Sequence, residues 1–265
     1  MLGARILLRL SRNPSARDYA GGTENTSERD ALYFLRKTVP DLVKLIEGKT
    51  VLDFGCGRGW QAIAMAKQGA ARVVGLDIRG LESAAERARE AGCADRVSFI
   101  SRIPPEAAET FDVVVSCSSF EHFSDPEGAL AAMSHAARPG GIVIVSFAEP
   151  WYSPHGSHMN FFTKIPWVNL LFSERSVMEA RSHFRSDGAR RYEDVEGGLN
   201  RMTLAKFERI MQASGMEIES LKYWPVKDLP LVDKLPVLRE LAVGAATCIL
   251  RKSDASRQAS RLPEQ

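Results

Sequence analysis

The chain has 265 residues, the length of one large domain or of a domain with an embedded cap. Its 45% hydrophobic and 26% charged content match a soluble globular protein, and a net charge of +2 implies no general affinity for nucleic acid. Four scattered cysteines (Cys56, Cys93, Cys117, Cys248) without a Cys-x-x-Cys pair read as reduced thiols of a cytoplasmic protein, and no apolar run reaches the ~18 residues of a membrane span.

Residues 1–12 carry a helical pattern with Arg5, Arg9 and Arg12 on one face and Leu2, Ile6 and Leu10 near the other. The arginines interrupt the apolar core that a secretory signal needs. Two readings fit the pattern: a basic amphipathic helix touching a membrane surface, or, more plainly, a short helix packed on the domain. Gly21-Gly22 marks a loop. Ser27-x-x-Asp30 resembles a capping box before a helix through Leu35, and Pro40 starts a second short helix ending near Gly48. Residues 1–48 are thus expected to form an N-terminal helical cap.

From Lys49 onward, apolar strands alternate with amphipathic helices. The pattern predicts β1 at 49–54, a helix at 60–68, β2 at 72–78 and a helix at 80–91 closed by Gly92. It continues with β3 at 96–100, β4 at 111–117, a helix at 126–137 and β5 at 141–147. Such alternation argues for a parallel sheet covered on both faces, doubly wound, with a ligand crevice at the strands' carboxyl ends. Arg138-Pro139-Gly140-Gly141 reads as the turn into β5. Residues 149–200, rich in proline and aromatics, are too long for a simple connection and are expected to lie over the carboxyl edge as a substrate lid. Thr203–Ser214 reads as the last large helix, followed by β6 at 216–223, a Pro-rich helical insert at 225–243 and β7 at 245–251. A polar tail at 253–265 is expected to be disordered.

The most informative stretch is Lys49–Gly59. Val51-Leu52 ends on Asp53, and Gly55, Gly57 and Gly59 follow at alternate positions before the helix at Trp60. Glycine permits the sharp turn and lets a ligand touch the backbone, and the first helical turn offers free N–H groups. A dinucleotide fingerprint needs its third glycine at the position of Trp60. The second strand closes on Asp77, 24 residues after Asp53, where a carboxylate accepts hydrogen bonds from both ribose hydroxyls. Asp53 would repel a pyrophosphate but not an ammonium beside a cationic centre. That points to S-adenosylmethionine.

Four ordered motifs make the pattern specific: VLDFGCGRG (51–59), VVGLDI (73–78), FDVVVSCSSFEHFSDPEGAL (111–130) and ARPGGIVIVSF (137–147). Residues 49–148 resemble the core of a class I S-adenosylmethionine-dependent methyltransferase of the type 11 small-molecule kind. The resemblance implies a Rossmann-like seven-stranded sheet whose β7 is antiparallel, with the lid inserted after β5. It implies a cofactor site made of Asp53, Gly55, Cys56, Gly57, Gly59, Asp77 and Ile78, with Asp53 facing the methionine ammonium and Ile78 on the adenine face. Ser116 and Cys117 would border the methionine arm through their carbonyls. The acidic residue that relatives often carry after β3 is missing, and Ser101 stands where it would meet the adenine amino group.

Methyl transfer to a hydroxyl needs a base as well as positioning, and histidine suits that task near neutral pH. His155 and His158 in the lid are candidates, as is His122, which also fits a structural histidine at a helix start. A metal at the lid histidines would have Glu149 at best as a third ligand, so none is assigned. Trp151, Tyr152 and Trp167 fit either an apolar acceptor pocket or a small lid core.

Two Tyr-x-x-x-Lys strings, from Tyr33 and Tyr223, sit wrongly for a short-chain dehydrogenase. No Asn/Asp-Pro-Pro-Tyr motif follows β4, which argues against a nucleic-acid substrate. The expected activity is methylation of a small-molecule acceptor, at oxygen before nitrogen. A non-catalytic cofactor-binding module of the same fold, or a lipid-linked acceptor at a membrane surface, is the alternative.

Overall fold

The computed structural model describes residues 2–11, 31–195, 197–226 and 236–254. The Gly21-Gly22 loop, the Ser27–Asp30 capping box, most of the insert after β6 and residues 255–265 lie outside them.

The sheet has seven strands in the order β3-β2-β1-β4-β5-β7-β6. They are β1 (Thr50–Phe54), β2 (Arg72–Leu76), β3 (Val97–Ile100), β4 (Phe111–Cys117), β5 (Ala137–Ala148), β6 (Glu217–Pro225) and β7 (Val243–Arg251). The first five are parallel, whereas β7 runs antiparallel to both β5 and β6. The order of strand addition reverses between β1 and its parallel neighbour β4, which places a crevice at the carboxyl ends of those two strands.

Alternation along each strand divides the core. Leu52, Val74, Val114, Val143 and Val145 face α6 (Pro126–Ala136) and α9 (Leu204–Ala213). Val51, Val73, Val113, Val115 and Ile144 face the other layer. That layer holds α2 (Tyr33–Thr38), α3 (Leu42–Ile46), α4 (Trp60–Lys67) and α5 (Leu81–Glu90). Each Val or Leu so buried contributes about 1.5–3 kcal/mol.

Helix starts follow side-chain caps. Asp125 accepts a hydrogen bond from the Gly128 N–H ahead of Pro126, and Thr203 does the same for Lys206 at α9.

β5 departs from expectation. The Arg138–Gly141 turn lies inside the strand as an irregularity, since Ala137 pairs with Phe111 and Ile142 with Val113. Gly140 has φ +71°, and a Cβ on Gly141 would lie 2.8 Å from the Arg138 carbonyl oxygen. The chain can therefore bulge there without leaving the ladder. β2 ends early, at Leu76, which leaves Asp77 free of the strand.

A third core lies in residues 151–199. Met159, Phe162, Val168, Val177, Met178, Tyr192 and Leu199 pack together with Ala4 and Leu7 of α1 (Leu2–Leu10). Two helices of this segment take part, α7 (Val168–Leu171) and α8 (Glu174–Arg181). α1 thus sits on the lid segment, with Leu2, Ile6 and Leu10 turned outward. Trp151, Phe161 and Phe172 border this core, and Tyr152 stays on the surface. Trp151 accordingly follows the lid-core reading. A last helix among the described residues, α10 (Pro236–Ala242), leads into β7.

Candidate functional site

The glycine corner is tied to the end of β2. The N–H groups of Gly55 and Cys56 donate to the Leu76 carbonyl at 2.8 and 3.0 Å. Gly57 N–H donates to Asp77 Oδ2 at 2.8 Å, and Arg79 N–H donates to Asp77 Oδ1 at 3.1 Å. All three glycines have positive φ, +85°, +51° and +81°. Their surroundings differ. A Cβ on Gly59 would stand 2.7 Å from the Phe99 ring and 2.9 Å from Ala84, whereas one on Gly57 would meet nothing within 4 Å. Gly59 therefore permits close packing of α4 against the sheet, and Gly57 leaves backbone open to a ligand.

Asp53 is 1% exposed at the end of β1. Burial, and then the Asp77 charge, push its carboxyl up to about 7, partly offset by the Ala62 N–H in the first turn of α4. Its Oδ2 is buried and has no hydrogen-bond partner. A buried, orphaned carboxylate oxygen calls for a cationic donor, which the ammonium of S-adenosylmethionine provides. Ile78, 80% exposed beside Asp77, offers an apolar face at the rim. The corner therefore fits that cofactor.

Other expected cofactor residues fall less simply. Cys117 lies on the Asp53 side of β4, where burial pushes its thiol up to about 12, and Cys56 is raised in the same way. Both remain neutral thiols. Strand alternation sends the Ser116 side chain to the opposite layer, where its Oγ is buried and unpartnered. Ser101 lines an open cavity of about 550 Å³ with Phe54, Leu76, Ile103, Ala132 and His135. This cavity lies on the α6 layer, where only a single 3-10 turn (Pro105–Ala107) joins β3 to β4.

Beyond β4, a 3-10 turn (Phe120–His122) carries Glu121 and His122. His122 Nδ1 lies 2.6 Å from the Gly198 carbonyl oxygen. A carbonyl only accepts, so Nδ1 bears the proton and Nε2 the lone pair. Asn200 fastens the same turn. Its backbone N–H donates to the Glu121 carbonyl, and its Nδ2 donates to the Phe120 and Phe123 carbonyls at 2.9 and 2.8 Å. His158 packs edge-on against His122 with ring centroids 5.3 Å apart. Burial, and then His122, hold His158 down to about 4, so it is neutral. His155 joins this pair through its backbone alone, its carbonyl accepting from the His158 N–H at 2.9 Å, and its own downward shift comes from burial and then Lys164.

Sequence reasoning missed Glu121, Gly198 and Asn200 as parts of this cluster, and weighed Glu149 only as a metal ligand. Glu121 is 4% exposed, with burial pushing it up to about 8. Burial and then Glu121 push Glu149 to about 7. The double glycine Gly197-Gly198, with φ of +84° and +71°, was the one sequence signal for the lid's return to the turn. No group of three or more His, Cys, Asp or Glu stands at metal-holding geometry among the described residues. Nor is any described helix long and apolar enough to cross a membrane.

A profile described as a methyltransferase domain matches residues 27–221. The chain is 37% identical over 106 residues to a ubiquinone biosynthesis O-methyltransferase of Paracidovorax citrulli, covering 38% of this chain and 44% of that protein. The chain spans less than half the length of the curated relatives it matches. Among solved structures it is similar to an S-adenosylmethionine-dependent methyltransferase of Mesorhizobium loti, with a TM-score of 0.54 and 20% identity, over 87% of this chain and 100% of that one. It is also similar to the cyclase SpnF, described as a 4+2 cyclase, with a TM-score of 0.56 and 19% identity, over 92% and 88% of the two chains. At these identities the two structures speak for the fold. The profile covers most of the chain, the four motifs lie on the adjacent strands β2, β1, β4 and β5, and the chain belongs to the class I S-adenosylmethionine-dependent methyltransferase family.

Proposed function

We propose that this protein methylates an oxygen atom of a small-molecule acceptor held beneath the segment 149–200. The observation that carries the oxygen reading is the His122 tautomer. With Nδ1–H committed to the Gly198 carbonyl, Nε2 is the basic nitrogen, and burial keeps the ring unprotonated near neutral pH. An amine acceptor has little need of such a base. The curated relatives named as O-methyltransferases support the same reading.

The cofactor supplies, when bound, a methyl group on a sulfonium centre with a neutral thioether as leaving group. The chain does the rest. Asp53 pairs with the ammonium, Gly57 presents open backbone, Asp77 accepts from the ribose hydroxyls and Ile78 covers the adenine. His122 Nε2 takes the acceptor hydroxyl proton as that oxygen becomes nucleophilic. His158 and the lid's aromatic core keep water and competing charge away from the reacting oxygen.

The test is transfer of labelled methyl from S-adenosylmethionine to a panel of phenols, catechols, alcohols and amines, with products identified by mass spectrometry. O-methylated product whose formation depends on His122 supports the proposal. N-methylated product overturns the oxygen reading, and O-methylation unchanged in His122→Ala overturns the base role of His122. Cofactor binding without transfer to any acceptor would favour a binding module.

A further inference from the structure

Away from the cofactor corner, the outward side of α1 is apolar and cationic together. Leu2, Ile6 and Leu10 are 76%, 42% and 61% exposed and recur once per helical turn. Arg5 and Arg9 are exposed on the same outward side, and α1 has no acidic residue. Ala4 and Leu7 turn the other way into the lid core, so the apolar stripe is not what holds the helix in place. Leu170 and Leu171 of α7 are also exposed, at 45% and 65%. Phe172, next in the chain, has a ring atom 3.8 Å from where a Cβ on Gly3 would stand. Arg175, exposed in the first turn of α8, adds a cation, and Glu179 is an acid facing both it and Arg5.

Exposed leucines flanked by arginines suit one partner best. On an anionic lipid surface the apolar side chains enter the acyl boundary while the guanidinium groups reach the phosphates. A second copy seated two-fold on this patch would bring Arg5 and Arg9 against their own counterparts. A neutral protein groove would desolvate both arginines without compensation. We infer that the outward face of α1, with Leu170 and Leu171, docks this protein on a membrane surface containing anionic lipid. The patch lies on the lid core and touches none of the cofactor residues, so lipid binding and cofactor binding separate in experiment.

The full chain is sedimented with vesicles of phosphatidylcholine alone and of phosphatidylcholine mixed with phosphatidylglycerol. The protein should partition onto the phosphatidylglycerol vesicles and be released by salt. The double variant Ile6→Asp/Leu10→Asp should lose about tenfold or more in partition. Arg5→Ala/Arg9→Ala should lose roughly fivefold per arginine. Both variants alter exposed side chains, and each should keep wild-type S-adenosylmethionine binding and circular dichroism. Absence of partition, partition indifferent to phosphatidylglycerol, or full partition by Ile6→Asp/Leu10→Asp overturns the inference. So does a wild-type dimer that this variant converts to a monomer without any lipid binding by the wild type.

Discussion

Asp77 Oδ2 accepts a hydrogen bond from the Gly57 N–H at 2.8 Å, joining the carboxylate after β2 to the middle glycine of the loop after β1. One carboxylate thus holds the loop and, in the function proposed above, also meets the ribose. Asp77→Ala should weaken S-adenosylmethionine and S-adenosylhomocysteine binding by about tenfold to a hundredfold, the usual scale of a lost charged hydrogen bond. Calorimetry checks this, with NAD and NADP as controls. Binding of NAD alone would oppose the cofactor assignment.

Asp53 predicts a pH dependence. Its raised value, about 7, means that the cofactor-free protein holds a proton there below neutrality. The cofactor's ammonium favours the ionised carboxylate, so binding below about 7 must release that proton. Affinity should fall as pH drops below about 7, by up to about tenfold per unit, and level off above it. For the cofactor-free fold the sign is opposite. Ionisation opposes folding, by an amount that is absent below the ordinary carboxyl value of 3.8 and grows as pH rises toward about 7. Asp53→Asn should abolish the pH dependence of binding. Titrations in two buffers of different ionisation enthalpy would detect the released proton.

The glycines should separate stability from binding. Gly59→Ala imposes both a left-handed backbone and contacts of 2.7–2.9 Å with Phe99 and Ala84. A loss of about 2–4 kcal/mol is expected from strain and overpacking. Gly57→Ala has the backbone penalty alone, about 1–2 kcal/mol, because its Cβ would meet no protein atom within 4 Å. That methyl would instead stand where the ligand approaches, so cofactor affinity should fall more than stability does. Denaturant melts with and without cofactor distinguish the two.

His122→Gln should lower kcat about 10²–10⁴-fold, the range of a lost general base, with little change in cofactor affinity. The pH–rate profile should lose its acidic limb, since the group that must be unprotonated is gone. His155→Ala should leave the rate near wild type, because the ring contact with His122 is made by His158 and His155 meets the pair through its backbone carbonyl. A large rate loss in His155→Ala with His122→Gln active would reverse the assignment.

Much of the fold was legible because its signals are local. The alternation of apolar strands with helices, the glycine spacing and the positions of Asp53 and Asp77 all lie within short windows, and each element has its own periodicity. The irregular entry of β5 was not legible. Arg138–Gly141 has the composition of a turn, and only pairing with β4 keeps it in the ladder.

The acceptor side was the least legible. His122 is set by Gly198 and Asn200, more than 70 residues along the chain, and no periodic pattern links them. His155 and His158 look alike in sequence. Burial and the approach of His122 distinguish them, and both depend on how the lid packs. The outward turn of Leu2, Ile6 and Leu10 was likewise decided by packing, because Ala4 and Leu7 fit the lid core.

The sequence by itself determined the cofactor corner, since backbone conformation at glycine and a carboxylate at a strand end are properties of a few adjacent residues. Only the tertiary structure decided which histidine has its ring tautomer set by a backbone carbonyl and which helix face meets solvent. Those choices arise when segments distant in the chain compete for the same buried space and the same hydrogen bonds.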